Sequence, residues 1–240
     1  MTRNRMHVLA LGTLLTLIVL GCGEPAEAGP PLICHTIEIG EAKSLPWAGP
    51  NWRDVRQDYD ANRLVGDTLA LLAPETPVLV RMETLRRATV YAMWSRIDRE
   101  VGYKVANEKV ADELMARLMD RVKEAMRTNR SPALALFDAG YLMESYKQAS
   151  RPGAAAGANK LDGYGMVRKA AGLKGNPAEM QFALAIISLH PRQPQHEEHL
   201  RLAVGGAQEG SMLARHLVIH FSDRGRSMSA LRSQLVSSRN

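Results

Sequence analysis

The segment NEKVADELMARLMDRVKEAMR, residues 107 to 127, limits the fold more than any other stretch of this chain. Val110, Leu114, Leu118, Val122 and Met126 recur every four residues and charged side chains fill the positions between, the pattern of a helix with one buried face. A helix with a single apolar stripe must bury it against other elements. The surrounding sequence offers elements of the same kind. LVGDTLALLA begins a helical pattern near Arg63 and stops at Pro74. ETPVLVRMETLRRATVYAMWSRIDREV reads as one long helix, with Thr76 as N-cap, Pro77 in the first turn, and Val78, Met82, Leu85, Thr89, Ala92 and Ile97 along one face. SPALALFDAGYLMESYKQA opens with Ser131 as N-cap and Pro132 after it; Ala135, Ala139 and Gly140 are small enough to admit a neighbouring backbone. Beyond it, LDGYGMVRKAAGLKG, PAEMQFALAIISLH, PQHEEHLRLAVGGAQEG and SMLARHLVIHF read as short helices between Gly/Pro breaks, with SMSALRSQLV as a last one. Aromatic residues are only 5% of the chain, so the body is expected to be all-α and packed on aliphatic side chains.

The start of the chain has another character. Arg3 and Arg5 precede an uncharged run from Val8 to Gly21, too short for a comfortable membrane span, and small residues follow. This reads as a secretory signal peptide over residues 1–28, cut after Ala26-Glu27-Ala28. Val19-Leu20-Gly21-Cys22 offers the alternative exit, a lipobox with Cys22 lipidated and the protein anchored to the envelope. Either way the protein is expected outside the cytoplasm, periplasmic or secreted. Removal of residues 1–28 takes away Arg3, Arg5, Glu24 and Glu27, so the formal charge of +6 belongs to the mature body. That charge suits an anionic membrane surface, and export argues against a nucleic-acid partner. Residues 29–62 carry Pro30, Pro31, Pro46 and Pro50 without helical period and read as an irregular arm whose Trp47 and Trp52 dock on the body. The helical domain then covers 63–240, with RPGAAAGANK, around residues 151–160, as a flexible connector.

A repeat of about 33 residues is visible in the helical domain. RKAAGLKGNPAEMQFALAI, from Arg168, and RLAVGGAQEGSMLARHLVI, from Arg201, align in outline. ALFDAGYLMESYKQA resembles the first helix of a tetratricopeptide hairpin, and VRKAAGLKGN and LAVGGAQEGS resemble the ends of Sel1-like repeats, over about 132–221. The tryptophan and closing proline of the tetratricopeptide pattern are absent. The resemblance implies helical hairpins stacked in a short α-solenoid, and with it a non-enzymatic scaffold that binds a protein or cell-envelope component.

Two sets of residues could carry chemistry instead. His196 and His199 share one helix face and His216 and His220 another; brought together, the two pairs could hold a zinc ion. The plainer account makes them half-exposed helix residues, since no zinc-hydrolase motif accompanies them. Cys34 is the only thiol outside the leader and has no partner for a disulfide. Its neighbour His35 points the other way in an extended chain, so Cys34 is expected to be buried and inert rather than a nucleophile. The alternative function resting on these residues is a metal- or thiol-dependent envelope enzyme. Asp54, Asp58 and Asp60 fit ion pairing and helix starting, and Arg81, Arg86, Arg87, Arg96 and Arg99 are expected along a helix face that is solvated or lies near anionic envelope lipids. No phosphate-binding glycine loop or nucleophile elbow occurs.

Overall fold

The computed structural model describes residues 31–94, 97–98, 102–103, 107–149, 161–189 and 195–237. The expected leader with Cys22, the connector at 151–160, Arg96, Arg99 and His190 lie outside the described residues. Among the described residues there are ten α-helices: α1 (Pro31–Cys34), α2 (Leu64–Leu71), α3 (Val78–Met93), α4 (Glu108–Thr128), α5 (Pro132–Ala149), α6 (Gly163–Leu173), α7 (Ala178–Ile187), α8 (His196–Gly206), α9 (Met212–His220) and α10 (Met228–Ser237). The described residues are all-α apart from one antiparallel pair of two-residue strands, Ile97–Asp98 and Gly102–Tyr103. Among the described residues no helix is long and apolar enough to cross a membrane.

That small hairpin corrects the long helix expected to run past Ile97. α3 ends at Met93, where Trp94 leaves helical geometry and turns its indole nitrogen to the Ala149 carbonyl at the end of α5. Its start differs by a residue as well. Pro77 is the N-cap, and Thr76 donates its hydroxyl back to the Leu71 carbonyl instead of capping α3.

α4 is capped by Asn107, whose side chain accepts from the Val110 amide, and it buries Val110, Leu114, Leu118 and Val122. α5 packs most closely on α6, and α7 on α8. The α5–α6 crossing is tight because Gly140 lies under the carbonyl of Gly163; a Cβ at Gly140 would come within 2.6 Å of that oxygen. α3 lies centrally, touching α1, α2, α4, α5 and α7. Phe137, Tyr141, Phe182 and Phe221 are fully buried among the aliphatic residues of one continuous core.

The arm before α2 is bolted to α3 by charge. Glu83 is buried and accepts from Arg86 Nε and Nη2 and from Arg87 Nε, each at 2.7 Å, and from the Ile37 amide at 3.0 Å. Arg86 passes the network on to the carbonyls of Ile33 and Trp52, and Arg87 to that of Leu45. Trp47 stacks edge-on against Tyr91, and the Tyr91 hydroxyl donates to the Pro46 carbonyl. A solvated arginine face on α3 is therefore overturned: Arg81 and Arg86 are 1% and 0% exposed, and Arg87 is only partly so. Buried there, the arginines are matched by Glu83, Asp138 and loop carbonyls, whose charge-assisted hydrogen bonds replace those lost from water.

Candidate functional site

The histidines separate into two neighbourhoods with Phe182 and Phe221 between them. In α8, His199 has both ring nitrogens engaged. Nδ1 donates to Gln181 Oε1 at 2.8 Å, leaving Nε2 to accept from the Tyr164 hydroxyl at 2.7 Å. His196 is fully buried, directs Nδ1 to the Ala185 carbonyl at 2.9 Å, and packs on Phe221. In α9, His216 and His220 both pack against Phe182. His216 Nε2 donates to the Glu38 carbonyl and His220 Nδ1 to the His216 carbonyl. Each ring therefore keeps one lone pair, on His216 Nδ1 and His220 Nε2, enclosed and without a hydrogen-bond partner.

Half-exposed helix residues do not describe these side chains: His196, His199 and His216 are buried. Desolvation lowers the pKa of His199 and of His216, and pushes His220 down to about 3. Burial thus disfavours the charged form of His199, His216 and His220. Among the described residues no group of three or more His, Cys, Asp or Glu has an arrangement that could hold a metal ion.

The arm adds a residue that sequence spacing did not connect to these. His35 lies with its ring 5.2 Å from that of His220, and burial lowers its pKa too. Its neighbour Cys34 ends α1 instead of standing in an extended strand, and it is half-buried rather than buried. Desolvation raises the thiol pKa against the pull of Arg53 and Arg86, which leaves it less ionised than a free cysteine. Of the arm's carboxylates, Asp58 pairs with Arg56, Asp60 caps the turn before α2, and Asp54 accepts from Asn51. Their partners are those of ion pairing and turn capping.

One concave feature lies elsewhere, between the end of α2, the C-terminal half of α4 and the start of α5. It is an open cavity of about 570 Å³. Leu69, Leu72, Leu134 and Ala135 give it apolar walls. Arg81 and Asp138, both buried, meet beneath it through Arg81 Nη1 and Asp138 Oδ2 at 2.6 Å. Arg81 is held from its other edges by the carbonyls of Thr76 and Ala73. Asp138 Oδ1 has no hydrogen-bond partner. Burial pushes the Asp138 pKa up to about 6, against the attraction of Arg81 and Arg121.

Arg121 reaches over the rim from the exposed side of α4. It donates Nη2 to the Leu69 carbonyl at 2.9 Å and Nη1 to that of Leu72 at 3.5 Å, capping the C-terminus of α2. No carboxylate lies within salt-bridge distance of it among the described residues. Nothing in the sequence marked this site, because Arg81 and Asp138 are 57 residues apart. The one available signal was Asp138 itself, a carboxylate between Phe137 and Ala139 on a helix with no other acid near the same face.

Comparison with protein-family models, with curated proteins and with solved structures finds no match for this chain.

Proposed function

We propose that this chain is an exported, non-enzymatic helical scaffold that captures a component of the cell envelope in the cleft between α2, α4 and α5. The observation that carries this reading is the buried Arg81–Asp138 pair beneath an open, apolar-walled cavity, with one carboxylate oxygen left unpaired. Buried polar groups are ordinarily satisfied, and an exception beside a cavity is where a ligand completes the bonding. Both carboxylates of the lining are engaged by arginines, Asp138 by Arg81 and Glu124 by Arg127, which supports binding over acid–base work. Closely packed pairs such as α5–α6 and α7–α8 support a stacked-hairpin frame behind the cleft.

Native mass spectrometry of the protein after incubation with envelope extract tests the reading. A small-molecule adduct is expected on the wild type and not on Ala135→Trp, which fills the cavity from α5. Equal loading of the two proteins, or none on either, refutes it.

A second reading, a zinc-holding envelope enzyme, draws on the unpaired lone pairs of His216 Nδ1 and His220 Nε2. Both rings have their N–H fixed by a backbone carbonyl, as metal-ligating histidines do. A rise in melting temperature with added zinc, abolished by His216→Ala, would favour it; an unchanged melt ends it.

A further inference from the structure

We infer that the ligand of the α2–α4–α5 cleft is a small amphiphilic carboxylate that also carries a hydroxyl a few atoms from its acid group. The inference rests on the cleft being a binding site and adds the chemical class of what it takes.

Three features of the cavity select that class. The first is charge. Arg81, Arg121 and Arg130 line it against Glu124 and Asp138, an excess of one positive charge. Arg81 is neutralised by Asp138, and Glu124 is held by Arg127, which lies off the lining. Arg121 is thus a guanidinium at the cavity rim without a carboxylate of its own, fixed in place by the Leu69 and Leu72 carbonyls. With Glu124 taken by Arg127, Arg121 and Arg130 remain as lining cations, so an anionic group suits the site, and a planar carboxylate matches the guanidinium fork. A cationic ligand would meet the positive excess instead.

The second feature is the orphan acceptor. Asp138 Oδ1 is enclosed and has no donor. A buried acceptor left unmade is costly, and a ligand hydroxyl supplies what it lacks. The acid group of the same ligand cannot do so when ionised, so acid and hydroxyl must be separate groups.

The third is the walls. Leu69, Leu72, Leu134 and Ala135 are aliphatic, with no aromatic face among the lining residues, which suits an alkyl chain better than a flat ring. Enrichment in apolar surface with a few convergent polar groups is how small-molecule sites hold one orientation.

Isothermal titration of the purified protein with octanoate, 3-hydroxyoctanoate and 1-octanol tests the assignment. We expect 1-octanol to bind weakest, octanoate at least about tenfold tighter, and 3-hydroxyoctanoate about tenfold tighter again, the increment of one well-made hydrogen bond. In Arg121→Gln, octanoate is expected to fall to the affinity that 1-octanol shows for the same variant, a ratio that the loss of the bonds to the Leu69 and Leu72 carbonyls does not itself produce. If 1-octanol binds as tightly as octanoate and Ala135→Trp blocks both, the carboxylate assignment is wrong and the cleft remains a binding site. Unchanged octanoate affinity in Arg121→Gln has the same meaning. If octanoate and its hydroxy derivative bind equally, the role given to Asp138 is wrong. If none of the three binds, both the assignment and the cleft reading fall.

Discussion

Glu83 is the residue whose loss should show most directly how the arm is held. Its carboxylate accepts three hydrogen bonds from Arg86 and Arg87 at 2.7 Å and one from the Ile37 amide at 3.0 Å. Glu83→Ala leaves the Arg86 guanidinium, 0% exposed, without its counter-charge. Breaking one side of a buried ion pair costs about 3–5 kcal/mol. Set against a typical total of about 5–15 kcal/mol, that is a large fraction of the stability. For a chain of this size about 2–4 °C of melting temperature goes with each kcal/mol, so a drop of about 10–15 °C is expected. The chain can limit the loss by releasing the arm, which lets water reach Arg86. Proteolysis between Leu45 and Tyr59 should therefore speed up well below the main melt. Circular dichroism melts with timed trypsin digestion read both effects, and Asp58→Ala, whose pair with Arg56 is exposed, serves as a control with an unchanged melt. Glu83→Ala combined with Arg86→Met removes the stranded charge and should recover at least half of the loss. A melt within about 1 kcal/mol of wild type for the single variant, by the scale for buried pairs, or a double variant that loses the sum of both, would refute this account of the arm.

Acid should destabilise the protein through its buried histidines. His220 has a folded pKa of about 3 against 6.5 when unfolded, so its neutral form carries no penalty above pH 6.5 and stability drains away as pH falls from 6.5 toward 3. Between pH 7 and pH 5 the wild type should lose about 1–2 kcal/mol more than His220→Phe in urea titrations, a comparison in which the opposite contribution of Asp138 cancels. Gly140→Ala should cost about 1–3 kcal/mol, since the new methyl meets the Gly163 carbonyl and Met166, whereas Gly172→Ala, with open space around it, should be neutral or stabilising in a thermal melt. Maleimide labelling of Cys34 in the folded protein should be slow at pH 7 and quicken as pH rises, in line with its raised pKa; labelling as fast as free cysteine at pH 7 contradicts that. Replacing Arg81 and Asp138 together by Met and Leu should leave the melt near wild type while removing the roughly tenfold preference for the hydroxyacid over octanoate; a retained preference would separate the pair from the cleft's function.

The helices were legible in the sequence because their signals are local. Asn107 caps α4, and the segments between the later Gly/Pro breaks became α6 to α10 with ends shifted by a few residues. Met126 shows the limit of a four-residue step. A helix advances about 100° per residue, so sixteen residues beyond Val110 it has drifted about 160° off the starting face. Met126 is accordingly 48% exposed where Val110, Leu114, Leu118 and Val122 are buried. The interior of α3 was not legible for a different reason. Arginine and glutamate are rarely buried unless paired, and the sequence does not say which carbonyls an arm without periodicity will bring to them. Ile33, Leu45 and Trp52 provide those carbonyls from 34 to 53 residues away. The cleft was hidden by the same kind of separation.

The buried charges of α3 divide by what they hold. Glu83, Arg86 and Arg87 end on backbone groups of the arm, and every one of those bonds fixes the register of a segment with no regular structure of its own. Arg81 sits on the same helix, near its start, but it bonds to the α2–α3 loop and to Asp138 of α5, beneath the cavity. Apolar residues of similar size would pack either place at comparable stability, since desolvating an ion pair offsets most of what its attraction returns. Stability alone therefore explains neither set. Register explains the first, because a loop without helix or strand periodicity has few other ways to be placed uniquely. It does not explain the second, since α2, α3 and α5 already interlock through their apolar faces. What remains for Arg81 and Asp138 is the polarity they bring to the floor of the cleft, the feature on which the proposed binding of a ligand there rests.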